Sequence, residues 1–222
     1  MASRRQLLRS LLKRLQEQGY QSVPGPMSGA AAAFYKPVDQ LFLTLGIQFS
    51  TRYTDRFTGA FYLSRSFEWA YVPEGFPEEA YQRIGRFLTP EERARLLTPF
   101  FAQAGVVDAW WVGFEESTVT AFIEAVKVTE PRFLRQSGLR EAVLACDSLR
   151  RHRDLLEEVS QTARTLTGPP PELVHQPGSY VKAAGPQWYW AAEVVLRHRA
   201  QKVNRGSVGM VALDAWRVDQ LA

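Results

Sequence analysis

The 222-residue chain predicts an α+β fold: a small antiparallel β-meander covered by an N-terminal helix, then a larger helical C-terminal part. Three observations carry that class. Leucines recur at helical spacing over residues 4–18. Two stretches between 40 and 71 alternate apolar and polar residues over ten or more positions. From residue 72 onward the patterning is helical, punctuated by strong start and stop signals. At 45% hydrophobic and 23% charged residues the composition is that of an ordinary globular protein. It excludes a largely disordered chain, a collagen-like repeat and a small disulfide scaffold.

The first element is an amphipathic helix. Leu7, Leu8, Leu11, Leu12 and Leu15 share one face, while Arg5, Arg9, Lys13 and Gln16 lie elsewhere. Ser3 is suited to the N-cap and Gly19 to the stop. A Gly/Pro/Ala-rich connection (VPGPMSGAAAA) leads to a short strand in AFYKP. In QLFLTLGIQFS the residues Leu41, Leu43, Leu45, Ile47 and Phe49 alternate with polar or small ones. In FTGAFYLSRSFEWAY the positions Phe57, Phe61, Leu63, Phe67, Trp69 and Tyr71 do the same. Period 2 predicts half-buried strands with one apolar face and one wet face, joined through TRYTDR. Arg65 breaks the pattern, standing on the apolar parity. A buried charge is costly unless paired, so the strand bulges there or Arg65 enters a polar pocket.

Thr89-Pro90-Glu91-Glu92 combines an N-cap, Pro at the first helical position and Glu three residues after the cap, and Pro99 ends that helix. GVVDAWWVGF is apolar and of uncertain class. A helix follows from Ser117 to about Val128, closed by Pro131. Residues 138–166 form the longest helical pattern, with Ala142, Cys146, Leu149, Leu156 and Ala163 on a seam. GPPPE cuts it, Pro186 opens another helix, and SVGMVALDAWRVDQLA fits a strand or a short helix. The chain reads as a single α+β domain over 1–222, β-rich to 71 and helical over 72–222, with one candidate break at 167–172. No stretch approaches the roughly 18 uninterrupted apolar residues of a spanning helix. The basic N-terminus lacks the apolar core of a secretion signal, and one cysteine suits a reducing compartment, so the expected location is cytoplasmic.

Charge is segmental. Residues 1–70 carry nine Lys/Arg against four Asp/Glu, residues 71–131 five against ten, and residues 132–222 thirteen against nine. A net charge of +4 is not the concentrated basic character of a nucleic-acid binder. Two basic clusters keep that reading open as the alternative: Arg4, Arg5 and Arg9, and the 197–205 segment with Arg197, His198, Arg199, Lys202 and Arg205.

Mechanism-bearing spacings are missing. There is no phosphate-binding G-x-x-x-x-G-K-S/T, no G-x-G-x-x-G after a strand, no H-E-x-x-H and no G-x-S-x-G. His152, His175 and His198 lie far apart, Cys146 sits on an apolar seam, and Glu91-Glu92 and Glu115-Glu116 belong at helix starts. No catalytic, cofactor or metal residues are therefore assigned, and an enzyme of unrecognised type is the third reading. Eleven of the 27 aromatic residues fall between 34 and 71, and Trp110-Trp111 adds a second cluster. Aromatic side chains beside arginine mark protein interfaces.

The layout LLRSLLKRLQEQGY, AFYKP, QLFLTLGIQFS, FTGAFYLSRSFEWAY resembles the front end of uncharacterised bacterial small-domain families. Those families are similar to the immunity and accessory proteins encoded beside polymorphic toxins. The resemblance covers about a third of the chain. It implies a non-enzymatic, stoichiometric inhibitor that binds a cognate toxin through charged and aromatic surface residues. The expected partner-binding residues are the exposed sheet and loop groups Arg52, Tyr53, Arg56, Tyr62 and Arg65, with Glu115 and Glu116 as a second patch.

Overall fold

The structure, a computed structural model, describes residues 3–23, 30–65, 76–103, 109–167, 184–199 and 205–220. The chain divides into two compact units, which part in sequence between Cys146 and Asp147. The proline run at 169–171 lies outside the described residues.

The first unit opens with helix α1 (Arg4–Gln16). Ser3 accepts the amide of Gln6 while the Gln6 side chain accepts the Ser3 amide, and Leu7, Leu11 and Leu15 are buried. Strands β1 (Gln21–Ser22), β2 (Ala32–Val38), β3 (Leu41–Phe49) and β4 (Arg56–Ser64) follow as an antiparallel meander. The β2–β3 reversal is closed by Asp39 at φ 55°, a left-handed conformation that aspartate tolerates.

Two further strands follow, the first from a stretch whose pattern predicts helix and the second from the apolar segment GVVDAWWVGF, whose class the pattern leaves open. β5 (Tyr81–Arg83) pairs with Ala60–Tyr62, and β6 (Trp111–Val112) pairs with Arg56 and Phe57, so both lie along the same edge of β4. A 3-10 turn (Glu78–Ala80) leads into β5, and between β5 and β6 run a second 3-10 turn (Ile84–Phe87) and helices α2 (Pro90–Leu96) and α3 (Pro99–Gln103). The cap before α2 forms as read: Thr89 accepts the Glu92 amide and Glu92 accepts the Thr89 amide. Pro99 opens α3 as well as following α2.

The cross-strand register places Phe34, Leu45 and Phe61 in one row and Phe49 with Phe57 in another. Helix α4 (Glu116–Leu134) lies on this face, with Phe122 5.3 Å from Phe57 and Phe133 5.3 Å from Phe61 between ring centroids. Gly59 permits the close approach. A Cβ there would stand 2.7 Å from Ile84 Cδ1 and 2.9 Å from Phe122 Cζ. Tyr20, just past α1, donates to Glu130 Oε2 at 2.7 Å, and Lys36 of β2 pairs with Glu130 Oε1. Burial, then the Glu130 charge and hydrogen bond, push the Tyr20 phenol well above its ordinary pKa.

Several expectations are corrected. Pro131 lies inside α4, because the last turn is held from outside: Phe133 is fully buried and Arg132 forks onto Glu92 at 2.5 and 2.7 Å. The second sheet face is dry at Thr44, Thr58, Ala60, Tyr62 and Ser64. Small and hydroxylated residues there read as a solvent face but pack closely. β4 ends at Ser64, and Phe67, Trp69 and Tyr71 lie outside the described residues. The long 138–166 pattern breaks into α5 (Leu139–Ala145) and α6 (Asp147–Thr165) at Cys146, whose backbone is extended. Ala142 is exposed rather than on a seam; the Leu149 side chain lies outside the described residues.

Cys146 itself is buried. Its thiol is expected to react slowly with a disulfide reagent in the native protein and rapidly in denaturant, as followed by absorbance. Fast native labelling would refute its burial.

The second unit is built, among the described residues, from α6, α7 (Pro186–His198) and α8 (Arg205–Asp219). Leu156, Val159, Tyr189, Val195, Val208 and Ala212 form its core. SVGMVALDAWRVDQLA is thus helical through Asp219. No described helix is long and apolar enough to cross a membrane.

Candidate functional site

The β4–β6 end of the first unit carries a cleft of about 630 Å³. Its base is the start of β4, its walls are the 50–55 turn and α3, and β5 contributes Arg83. The turn is pinned: Ser50 donates its amide to the Arg56 carbonyl at 2.9 Å and accepts the amides of Arg52 and Tyr53 at 3.2 and 3.0 Å. The Gly113 amide donates to the Asp55 carbonyl at 2.8 Å, which ties β6 to the same turn. Arg4 of α1 braces it from behind, with its guanidinium 4.6 Å from the Phe49 ring centroid and a bond to the Thr54 carbonyl.

Arg56 is the centre of the cleft. Its guanidinium carbon lies 3.8 Å from the Tyr53 ring centroid and 5.3 Å from that of Phe101, and Arg52 approaches the same Tyr53 ring at 5.8 Å. Cation–π contact of this kind fixes the plane of the group without using its N–H donors. Nε is buried with no hydrogen-bond acceptor among the described residues, and Asp55 Oδ1 stands 3.8 Å away, too far for one. At the rim, Phe100 is 71% exposed and Tyr53 42% exposed. Phe100 stands edge-on to buried Phe101 with centroids 5.0 Å apart, so one ring of the pair anchors α3 and the other faces solvent. Arginines above aromatic walls can hold a planar anion that carries an apolar group.

The sequence-predicted residues are only partly gathered. Arg52, Tyr53 and Arg56 meet in the cleft. Glu115 is exposed at the N-cap of α4, folded over Gly113 next to the pinned turn. Glu116 is engaged by Arg14, which also donates to Thr120 Oγ1 at 3.1 Å. Tyr62 is not an exposed sheet residue: it is buried on the opposite face, its ring stacked 4.9 Å from Phe76. Arg65 lies past the far end of β4, roughly 30 Å along the strand from Arg56 at 3.3 Å per residue. It is half-buried there, reaching the Leu144 carbonyl at the end of α5. A cation facing the last carbonyls of a helix is favourable, which accounts for its place.

Arg83, Phe100, Phe101 and Trp110 complete the cleft. Arg83 went unread because three-residue β5 has no periodicity of its own. The Pro99-Phe100-Phe101 run carried a signal, since adjacent helical residues point apart and one of two phenylalanines must then face outward. In the basic clusters, Arg197 pairs with Glu193 and Arg199 with Glu158, while His198 is exposed. The side chains of Lys202 and Arg205, and all of His175, lie outside the described residues. Arg5 and Arg9 are exposed on α1. The chain matches no protein-family model, no curated protein and no solved structure.

Proposed function

We propose that this chain is a non-enzymatic bacterial protein-binding module acting in the cytoplasm, and that it serves as an immunity-type protein for a cognate toxin. The observation that carries the reading is the cleft itself. Tyr, Trp and Arg dominate the energetics of protein interfaces, and here exposed Phe100 and Tyr53 surround a stacked Arg56 with Trp110 alongside. The 50–55 turn is cross-tied, so little ordering entropy opposes docking there. The nucleic-acid alternative draws less support, because Arg4, Arg197 and Arg199 already contact groups of this chain.

Co-expression with the protein encoded beside it is expected to restore growth and to yield a stable stoichiometric complex. Phe100→Asp, a change at an exposed position, is expected to abolish both while leaving thermal unfolding unchanged. Absence of any complex with the wild-type chain would overturn the reading.

A further inference from the structure

The cleft has a chemistry more specific than general stickiness. Arg52, Arg56 and Arg83 line it, and the acid beside Arg56, Asp55, is held at 3.8 Å from Nε. Arg56 is half-buried at the base, with both neighbouring rings against its faces. Those contacts leave the guanidinium edge as its means of taking a ligand, and that edge matches a carboxylate. The Phe100 ring beside it is open to solvent and offers an apolar platform.

We infer that the cleft recognises an acidic side chain standing next to an aromatic one on a partner protein, the carboxylate on Arg56 and the ring on Phe100. The inference rests on the protein-binding reading and names the partner's chemistry. Charge complementarity selects a carboxylate-bearing segment over an oligonucleotide. A strand of nucleic acid needs a row of cations along its phosphates and open ring faces for its bases. Here the three arginines line a single cleft, and the Arg56 guanidinium already lies over the rings of Tyr53 and Phe101. Arg52 widens the positive field at the rim and steers an acidic segment inward.

The test is a titration of the full chain with acetyl-Glu-Phe-amide and with its neutral counterpart acetyl-Gln-Phe-amide, followed by NMR of the Arg56 Nε–H and Trp110 indole N–H signals. The acidic peptide is expected to shift both signals at concentrations on the order of millimolar, and the neutral one to bind at least about tenfold more weakly. Arg56→Lys keeps the charge but loses the fork, and is expected to weaken the acidic peptide by about tenfold as well. Equal binding of the two peptides, or no shift with either, would overturn the inference. So would a 12-nucleotide single strand that binds more tightly than the peptide at about 150 mM salt. A protein partner that is captured but insensitive to Arg56→Lys would sink this inference and leave the protein-binding reading standing. Peptide binding without any captured protein would do the reverse.

Discussion

Phe122→Ala is expected to cost the first unit about 3–5 kcal/mol, the range for emptying a fully buried aromatic site. Phe122 is fully buried between Phe57 at 5.3 Å and Trp111 at 4.9 Å, so its loss leaves rings on two strands facing a void. Neither strand can follow, because β4 is hydrogen-bonded to β3 on one side and to β5 and β6 on the other. The opposite perturbation at the same contact, Gly59→Val, is expected to destabilise by about 1–3 kcal/mol through overpacking. Hydrogen exchange of the β3 and β4 amides reads both changes directly within this unit. A cost under about 1 kcal/mol for Phe122→Ala would show that α4 does not pack on the sheet as described.

Glu130→Ala is expected to rank second, at about 2–4 kcal/mol, because it strands a largely buried lysine and a buried phenol together. Lys36 retains 19% side-chain exposure and Glu130 14%, so partial hydration places the cost toward the lower half of that range. The same network gives an alkaline limb. Tyr20 holds its proton in the native state at pH values where unfolded tyrosine, with a pKa near 10, has lost it. The native state then binds more protons than the unfolded one, so stability is full below about pH 10 and falls as pH rises beyond it. Tyr20→Phe removes that slope. An unchanged alkaline limb in the variant, measured by denaturant midpoints across pH, would assign the slope elsewhere.

Local chemistry in the sequence specified the parts of the fold that depend on few neighbours. The caps at Ser3 and Thr89 are set by residues three apart. The leucine stripe of α1 and the alternation through Leu41–Phe49 announce faces whatever lies opposite. The misread parts depend on distant contacts. Pro131 stays helical because Arg132 and Phe133 are held by Glu92, Phe61 and Phe87. β5 exists because β4 offers it an edge. Tyr62 is buried because Phe76 stacks on it, a partner fourteen residues away that periodicity does not reveal. At the cleft, Arg52, Tyr53 and Arg56 were legible as aromatics beside arginines in a turn. Arg83 and Phe100 enter from two other elements, and only the strand pairing and the α3 anchor bring them there.

The most direct test of the binding face is photocrosslinking from a photoreactive phenylalanine analogue placed at Phe100, with the same analogue at Val194 on α7 as reference. Both positions are solvent-exposed, at 71% and 40%. In cells that also express the neighbouring-gene protein, a crosslinked complex is expected from position 100 and not from 194, and Arg56→Lys is expected to diminish it. A crosslink from 194 with none from 100 would contradict the assignment of the Arg56 cleft as the partner's docking site.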